Sequence, residues 1–123
     1  MILNPTTIEE IKANREEWAS ALESGKYDQA VGTLHINGSF CFLGVGCDIT
    51  KYGYWNSGDY VYVLDNGEVR SIGGYISDSL IGDAYGLTDA EESELASCND
   101  AGTPFPEIAA MIRALPLPES VTR

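Results

Sequence analysis

Phe40-Cys41-Phe42-Leu43-Gly44-Val45-Gly46-Cys47-Asp48-Ile49-Thr50 is the stretch on which the fold turns. It is apolar on every side, so it is buried whichever backbone state it takes. Its local propensity favours a strand, which would lie in the middle of a sheet. As a helix it carries Gly44 and Gly46, each costing roughly 1 kcal/mol against alanine. Such a helix is tolerated if another backbone packs closely against the glycines. The stretch by itself leaves both states open.

Outward from it, the signals are more local. Residues 6–24 read as an amphipathic helix. Thr6 and Thr7 are both N-cap candidates, with Glu9 or Glu10 completing a capping box. Ile8, Ile11, Trp18 and Leu22 share one face, Arg15 fills the gap in that stripe, and Gly25 fits the position past the helix end. Residues 30–36 have weak strand character, and Asn37-Gly38 is a tight-turn signal. Residues 52–58 read as loop. Residues 59–64 alternate Tyr60 and Tyr62 against Val61 and Val63, the period of a half-buried strand. Asp65-Asn66-Gly67 turns the chain, Glu68–Ile72 returns as the partner strand, and Gly73-Gly74 releases it.

The last third reads as short helices. Ser77 caps a segment through Leu80, Ile81 and Ala84 to Gly86. Thr88 with Glu91 forms a capping box ahead of a helix reaching the neighbourhood of Cys98. After an Asn99–Gly102 turn, Thr103 caps a helix with Pro104 at its first position and Phe105, Ile108, Ala109, Ile112 and Leu115 on one face. Pro116 stops it. The expectation is an α+β fold: an N-terminal amphipathic helix, a buried central segment, an antiparallel hairpin of two or three strands, and a C-terminal cluster of short helices. Residues 1–115 form one globular domain and 116–123 a flexible tail.

Composition limits the function. The 123 residues are enough for one core, and 44% of them are hydrophobic. The longest apolar run is short and broken by glycine, so it cannot span a bilayer. Met1-Ile2-Leu3-Asn4-Pro5 has neither a basic stretch nor an apolar secretion core, which places the chain in the cytoplasm of the cell that makes it. Cys41, Cys47 and Cys98 are odd in number and read as small buried hydrophobes rather than a disulfide framework. The net charge is −12, and no Lys or Arg occurs between Ser71 and Ile112. That stretch holds Asp78, Asp83, Asp89, Glu91, Glu92, Glu94, Asp100 and Glu107. Direct binding to nucleic acid or anionic membrane is disfavoured, because no cationic set exists to displace counterions. A solvated face that keeps a small protein soluble is the plainer use of such charge; a surface that docks on a basic partner is the sharper one.

Trp18-x-x-Ala21-Leu22-x-Ser24-Gly25-x-Tyr27-x-Gln29 is followed by Phe40-Cys41-x-Leu43-Gly44-Val45-x-Cys47-Asp48, by Gly86-Leu87-Thr88, and by Leu95-x-x-x-Asn99-Asp100-x-Gly102-x-x-Phe105-x-x-Ile108-Ala109-x-x-Ile112. This ordered combination resembles a widespread group of small uncharacterised proteins encoded by tailed bacteriophages, prophages and some bacteria. Two positions depart from the group: Phe42 stands where a second cysteine is common, and Gly46 where a larger residue is common. The resemblance implies the helical state for residues 40–50 and an origin in a bacterial host cell. It brings no catalytic residues. It implies the context of phage accessory proteins that bind and disable a host machine.

Constellations that carry chemistry are few. Cys41, Cys47, Cys98 and His35 are four candidate metal ligands, but Cys41 and Cys47 are six apart where paired ligands are usually two to four apart, so no metal or cofactor is expected. Cys47 with His35 would be a nucleophile and base only if the fold joined them, and an apolar surround makes a thiol inert. Asp100 with Glu107, or Asp48 with Asp59, are carboxylate pairs that chance readily supplies among nineteen acids. Asn99-Asp100 more simply closes a turn. Gly44-Val45-Gly46 lacks the rest of a phosphate-loop fingerprint. Tyr52, Tyr54, Trp55, Tyr60 and Tyr62 crowd into eleven residues, either packing one strand face inward or forming a contact surface.

Two function classes follow. The first is a non-enzymatic interaction protein whose Tyr/Trp cluster, with Asp83, Asp89, Glu91, Glu92 and Glu94, binds a host protein with a basic surface, in one version by mimicking nucleic-acid charge. The second is a small enzyme or ligand-binding domain with a polar pocket where His35, Asp48, Asn99 or Asp100 converge.

Overall fold

A computed structural model describes residues 1–77 and 79–121. The helices are α1 (Ile8–Glu23), α2 (Phe42–Asp48), α3 (Leu80–Tyr85), α4 (Asp89–Asp100) and α5 (Phe105–Ala114). The strands are β1 (Asp28–Gln29), β2 (His35–Ile36), β3 (Ser39–Phe40), β4 (Tyr54–Asn56), β5 (Asp59–Val63) and β6 (Val69–Ile72). The fold is α+β. One small sheet has the order β1-β3-β2, with β1 parallel and β2 antiparallel to β3; the other is antiparallel with the order β4-β5-β6.

The glycine-bearing stretch is a helix. Residues 41–47 are all buried, and α2 runs through the centre of the core. Its glycines are where neighbours come closest. A Cβ on Gly44 would sit 2.0 Å from the Leu34 carbonyl oxygen, and one on Gly46 would sit 3.1 Å from the Trp18 ring and 3.3 Å from that of Tyr85. Trp18, fully buried, donates its Nε1–H to the Phe42 carbonyl at 2.8 Å, and Tyr85 donates its hydroxyl to the Gly46 carbonyl at 2.6 Å. These contacts outweigh the strand propensity of the stretch.

The caps follow the sequence, with shifts of a residue or two. Thr7 caps α1 with Glu10, and Thr88 caps α4 with Glu91, both as complete capping boxes. Asn37 and Gly38 take positive φ (49° and 81°), as the tight β2–β3 turn requires. Ser79 rather than Ser77 caps α3, its Oγ accepting from the Gly82 N–H at 3.1 Å; Asp78 lies outside the described residues. Pro104, extended at ψ 150°, is the N-cap of α5, so Thr103 stands one residue before the cap. Within 52–58, Tyr54–Asn56 pairs with β5 and completes a third strand; that segment read as loop because Gly53, Gly58 and the polar residues dominate it. Past α5, Leu117 lines a groove described below, and residues 122 and 123 of the expected tail lie outside the described residues.

Buried polar side chains tie these short elements together. Arg15, 3% exposed, donates to the carbonyls of Tyr85 (2.7 Å), Gly86 (2.9 Å), Leu115 (3.4 Å) and Pro116 (3.1 Å). It thus caps the ends of α3 and α5, where helix dipoles favour a cation. Burial pulls its guanidinium below the ordinary value, with the Glu91 charge acting in the opposite sense. Asn14 joins the Ile2 and Ala84 carbonyls at 2.6 and 2.8 Å. Outside the core, Arg113 of α5 binds Glu16 and Glu23 of α1, each at 2.7 Å.

Two outcomes follow. Gly44→Ala lowers the unfolding free energy by about 1–3 kcal/mol through overpacking, opposite in sign to the gain of roughly 1 kcal/mol that alanine gives an open helix site. A denaturant midpoint that stays put or rises would remove the close approach to Leu34. Arg113 holds the Glu16 and Glu23 carboxyls below their ordinary 4.5, first through its hydrogen bonds. Folded-state values below the unfolded ones mean stability present above that pH and lost as pH falls through it. Arg113→Ala therefore flattens the acid side of the stability–pH curve, and an unchanged slope would sink the assignment.

Candidate functional site

The site is built on α4. Its capping box fixes the start, and the side chains at 92, 95 and 99 then fall on the buried stripe. Glu92 is fully buried and accepts from the backbone N–H groups of Ile76 and Ser77 at 2.6 and 3.0 Å. It therefore belongs to the fold and not to the surface on which the sequence placed it. Leaving those two donors without an acceptor would cost about 1–3 kcal/mol each. Glu91, half-buried, is used by the capping box. Asp89, Glu94 and Asp100 face solvent, as does Asp83 on α3. Among the described residues, Asp89, Glu94 and Asp100 take part in no salt bridge.

Asn99 is the other buried polar group of α4. It donates to the Ala30 carbonyl at 2.9 Å and accepts from the Phe42 N–H at 3.2 Å and the Gln29 amide at 3.1 Å. Asp100 accepts from the Gly32 N–H at 3.0 Å. Both residues end α4 rather than forming a turn, and both clamp the 29–32 segment. Beside them opens a cleft of about 150 Å³, walled by Thr33, Cys41, Phe42, Tyr75, Asn99 and Asp100 among others. That is below the roughly 300–1,000 Å³ of small-molecule pockets. It is room for one side chain. Tyr75, 62% exposed, stands at its rim. Tyr75 follows Gly73-Gly74 and lies outside the Tyr/Trp cluster of residues 52–62.

The other predicted residues lie elsewhere. His35 sits between the rings of Phe40 (4.5 Å) and Trp55 (4.8 Å), its Nδ1 3.2 Å from the Ser57 carbonyl. Asp48 accepts from the Tyr27 hydroxyl at 2.6 Å and from Trp55 Nε1–H at 2.9 Å. Burial first, then that hydrogen bond and charge, push the Tyr27 hydroxyl well above its usual value. Thus His35 and Asp48 meet Trp55, while Asn99 and Asp100 meet the cleft, and the four do not converge. The aromatic cluster divides as well. Tyr60 and Tyr62 are 1% and 3% exposed and pack inward, so they form no contact surface. Trp55 and Tyr52 are half-buried, with the Tyr52 hydroxyl on the Val63 carbonyl at 2.9 Å. Tyr54 alone of the five is open, at 60%.

The two core thiols offer no activated nucleophile. Cys47 is fully buried, and desolvation followed by Cys41, Glu92 and Asp48 pushes its thiol far up. Burial also raises Cys41. The three thiols are free. Among the described residues, no three His, Cys, Asp or Glu side chains stand close enough to hold a metal ion. A second groove, of about 480 Å³, lies between α1 and α5, but the guanidinium groups of Arg15 and Arg113 there are engaged as described above. No helix is long and apolar enough to cross a membrane among the described residues.

Fold and site together define a small α+β domain whose buried polar groups serve its own backbone and whose open chemistry is acidic. The chain belongs to the family described as Domain of unknown function (DUF8296), whose sequence model matches residues 9–115. Neither the curated proteins nor the solved structures contain a match to it.

The exposures order the thiols. Cys98, half-buried, reacts with a thiol reagent in the native state, while Cys41 and Cys47 react only on unfolding. Peptide mapping after native alkylation reads this directly, and fast labelling of Cys47 would show it to be a reactive thiol.

Proposed function

We propose that this chain is a non-enzymatic acidic interaction protein: a phage or prophage accessory factor, for host takeover or counter-defence, that docks on the basic surface of a host protein. The observation that carries the reading is the outward side of α4. Asp89, Glu94 and Asp100 are exposed and outside every salt bridge of the described residues, in a stretch without one Lys or Arg from Ser71 to Ile112. Nothing on that stretch neutralises them, so a partner's cations can. The cleft next to Asp100, with Tyr75 at its rim, is sized for a Lys or Arg side chain, which a carboxylate and an aromatic face both attract. A host enzyme whose basic groove ordinarily takes nucleic acid has this chemistry, and carboxylates in that groove would compete with phosphates. The resemblance to phage-encoded proteins supports the biological setting.

The test compares the wild-type chain with Asp89→Asn/Glu94→Gln/Asp100→Asn as baits in bacterial lysate at low salt. At roughly 0.5 kcal/mol per exposed charge, the triple variant holds its basic-surfaced partner about tenfold more weakly, and added salt releases the partner from the wild type. Equal capture by both baits, with a strong thermal shift from a small-molecule library, would turn the assignment toward a ligand-binding domain.

A further inference from the structure

The second sheet leaves the edge of β6 open among the described residues. β6 pairs with β5 on one side, and no other strand among the described residues pairs with it on the other. The Leu64 N–H donates to the Glu68 carbonyl at 2.8 Å. Antiparallel strands alternate bonded and non-bonded residue pairs. Glu68, Arg70 and Ile72 therefore direct their backbone groups toward β5, and Val69 and Ser71 direct theirs outward. Such a row of free N–H and C=O groups is a template for another strand. The side chains on this edge are self-complementary. Glu68 and Arg70 share one face, 2.7 Å apart and about half exposed. Val69, 63% exposed, lies on the other face beside its cross-strand neighbour Val63, 48% exposed.

We infer that β6 pairs antiparallel with β6 of a second copy of this chain, about a two-fold axis through Val69. Only residues with outward backbone groups can form the bonded pairs, so the short edge allows registers centred on Val69, Arg70 or Ser71. Centring on Arg70 sets two guanidinium groups face to face. Centring on Ser71 sets Arg70 against Ile72 and leaves Glu68 without a partner. Centring on Val69 sets Glu68 opposite Arg70 of the second copy, twice, in the non-bonded pairs where side chains come closest. The ion pair within each chain is exchanged for two between chains, and Val63 and Val69 of both copies join in one apolar strip on the other face. The product is a continuous six-stranded sheet. The net charge of −12 opposes association, but at about 0.15 M salt fields fade over about 8 Å, so the crossed pairs are felt more than the acids of α4.

Sedimentation equilibrium of the full chain at about 0.15 M salt tests this, with circular dichroism confirming that each variant folds. The wild type sediments as a dimer. Glu68→Arg alone opposes Arg to Arg across the axis, and Arg70→Glu alone opposes Glu to Glu, so each sediments as a monomer. Mixed in equal amounts, the two variants make a heterodimer, because every crossed pair is again attractive. Should either fail to fold, Val69→Lys provides the second route: it leaves the Glu68–Arg70 pair intact, sets two ammonium groups at the axis, and yields a monomer. A monomeric wild type at all concentrations, single variants that stay dimeric, or folded variants that do not associate on mixing would each overturn the register.

Discussion

The fold depends on letting other parts of the chain reach the backbone of α2. Gly44 and Gly46 have no side chain, so the Leu34 carbonyl on one side and the Trp18 and Tyr85 rings on the other can touch the helix itself. The Trp18 indole and Tyr85 hydroxyl then bond to α2 carbonyls while their rings fill the core. One seven-residue helix is thereby fastened to α1, to the segment before β2, and to α3. Close approach adds dispersion contacts that a Cβ would forbid, which offsets the propensity cost of glycine within a helix.

Around that centre several of the regular elements are too short to hold themselves. Strands of two residues and a six-residue helix have few internal hydrogen bonds. Buried polar side chains supply the rest. Arg15 donates to four carbonyls at two helix ends, Glu92 accepts from the two N–H groups ahead of α3, and Asn99 joins α4 to β1 and to the start of α2. No buried side-chain nitrogen or oxygen of the described residues lacks a partner. A charged group at these positions is tolerable because backbone dipoles replace its lost hydration.

The sequence disclosed what is local. Capping boxes at Thr7 and Thr88, the Asn37-Gly38 turn and the Tyr60/Tyr62 alternation are decided within four residues, and all appear in the structure. Contacts between distant residues were not legible. Residues 40–50 could not be settled by their own propensity, because the deciding contacts come from Leu34 and Tyr85. Glu92 looked like one more surface acid, yet it shares the helical spacing of Leu95 and Asn99, and a charge on an apolar stripe reads as buried and partnered. Of the five aromatics taken together, the pleat alone sends Tyr60 and Tyr62 inward and Tyr54 outward. The period-two alternation of residues 59–64 marks Tyr60 and Tyr62 as sharing one face, whereas Tyr54 reaches the opposite face only through its pairing with Val61.

This division of labour bears on function. A catalytic centre needs polar groups held in place but free to meet a substrate. Here the rigid polar groups, Arg15, Glu92 and Asn99, are consumed by the protein's own backbone, while Asp48 holds Tyr27 and Trp55 in place. The cysteines that lie in the core have thiols raised away from reactivity. At the surface of the described residues stand, among other groups, carboxylates on α4 and an unpaired strand edge with paired opposite charges on β6. The first can attract a basic partner at a distance, and the second can align only with a strand of matching pattern. Steering and register are two requirements of a binding surface, and under the proposed function α4 would supply the first and β6 the second, neither drawing on the core.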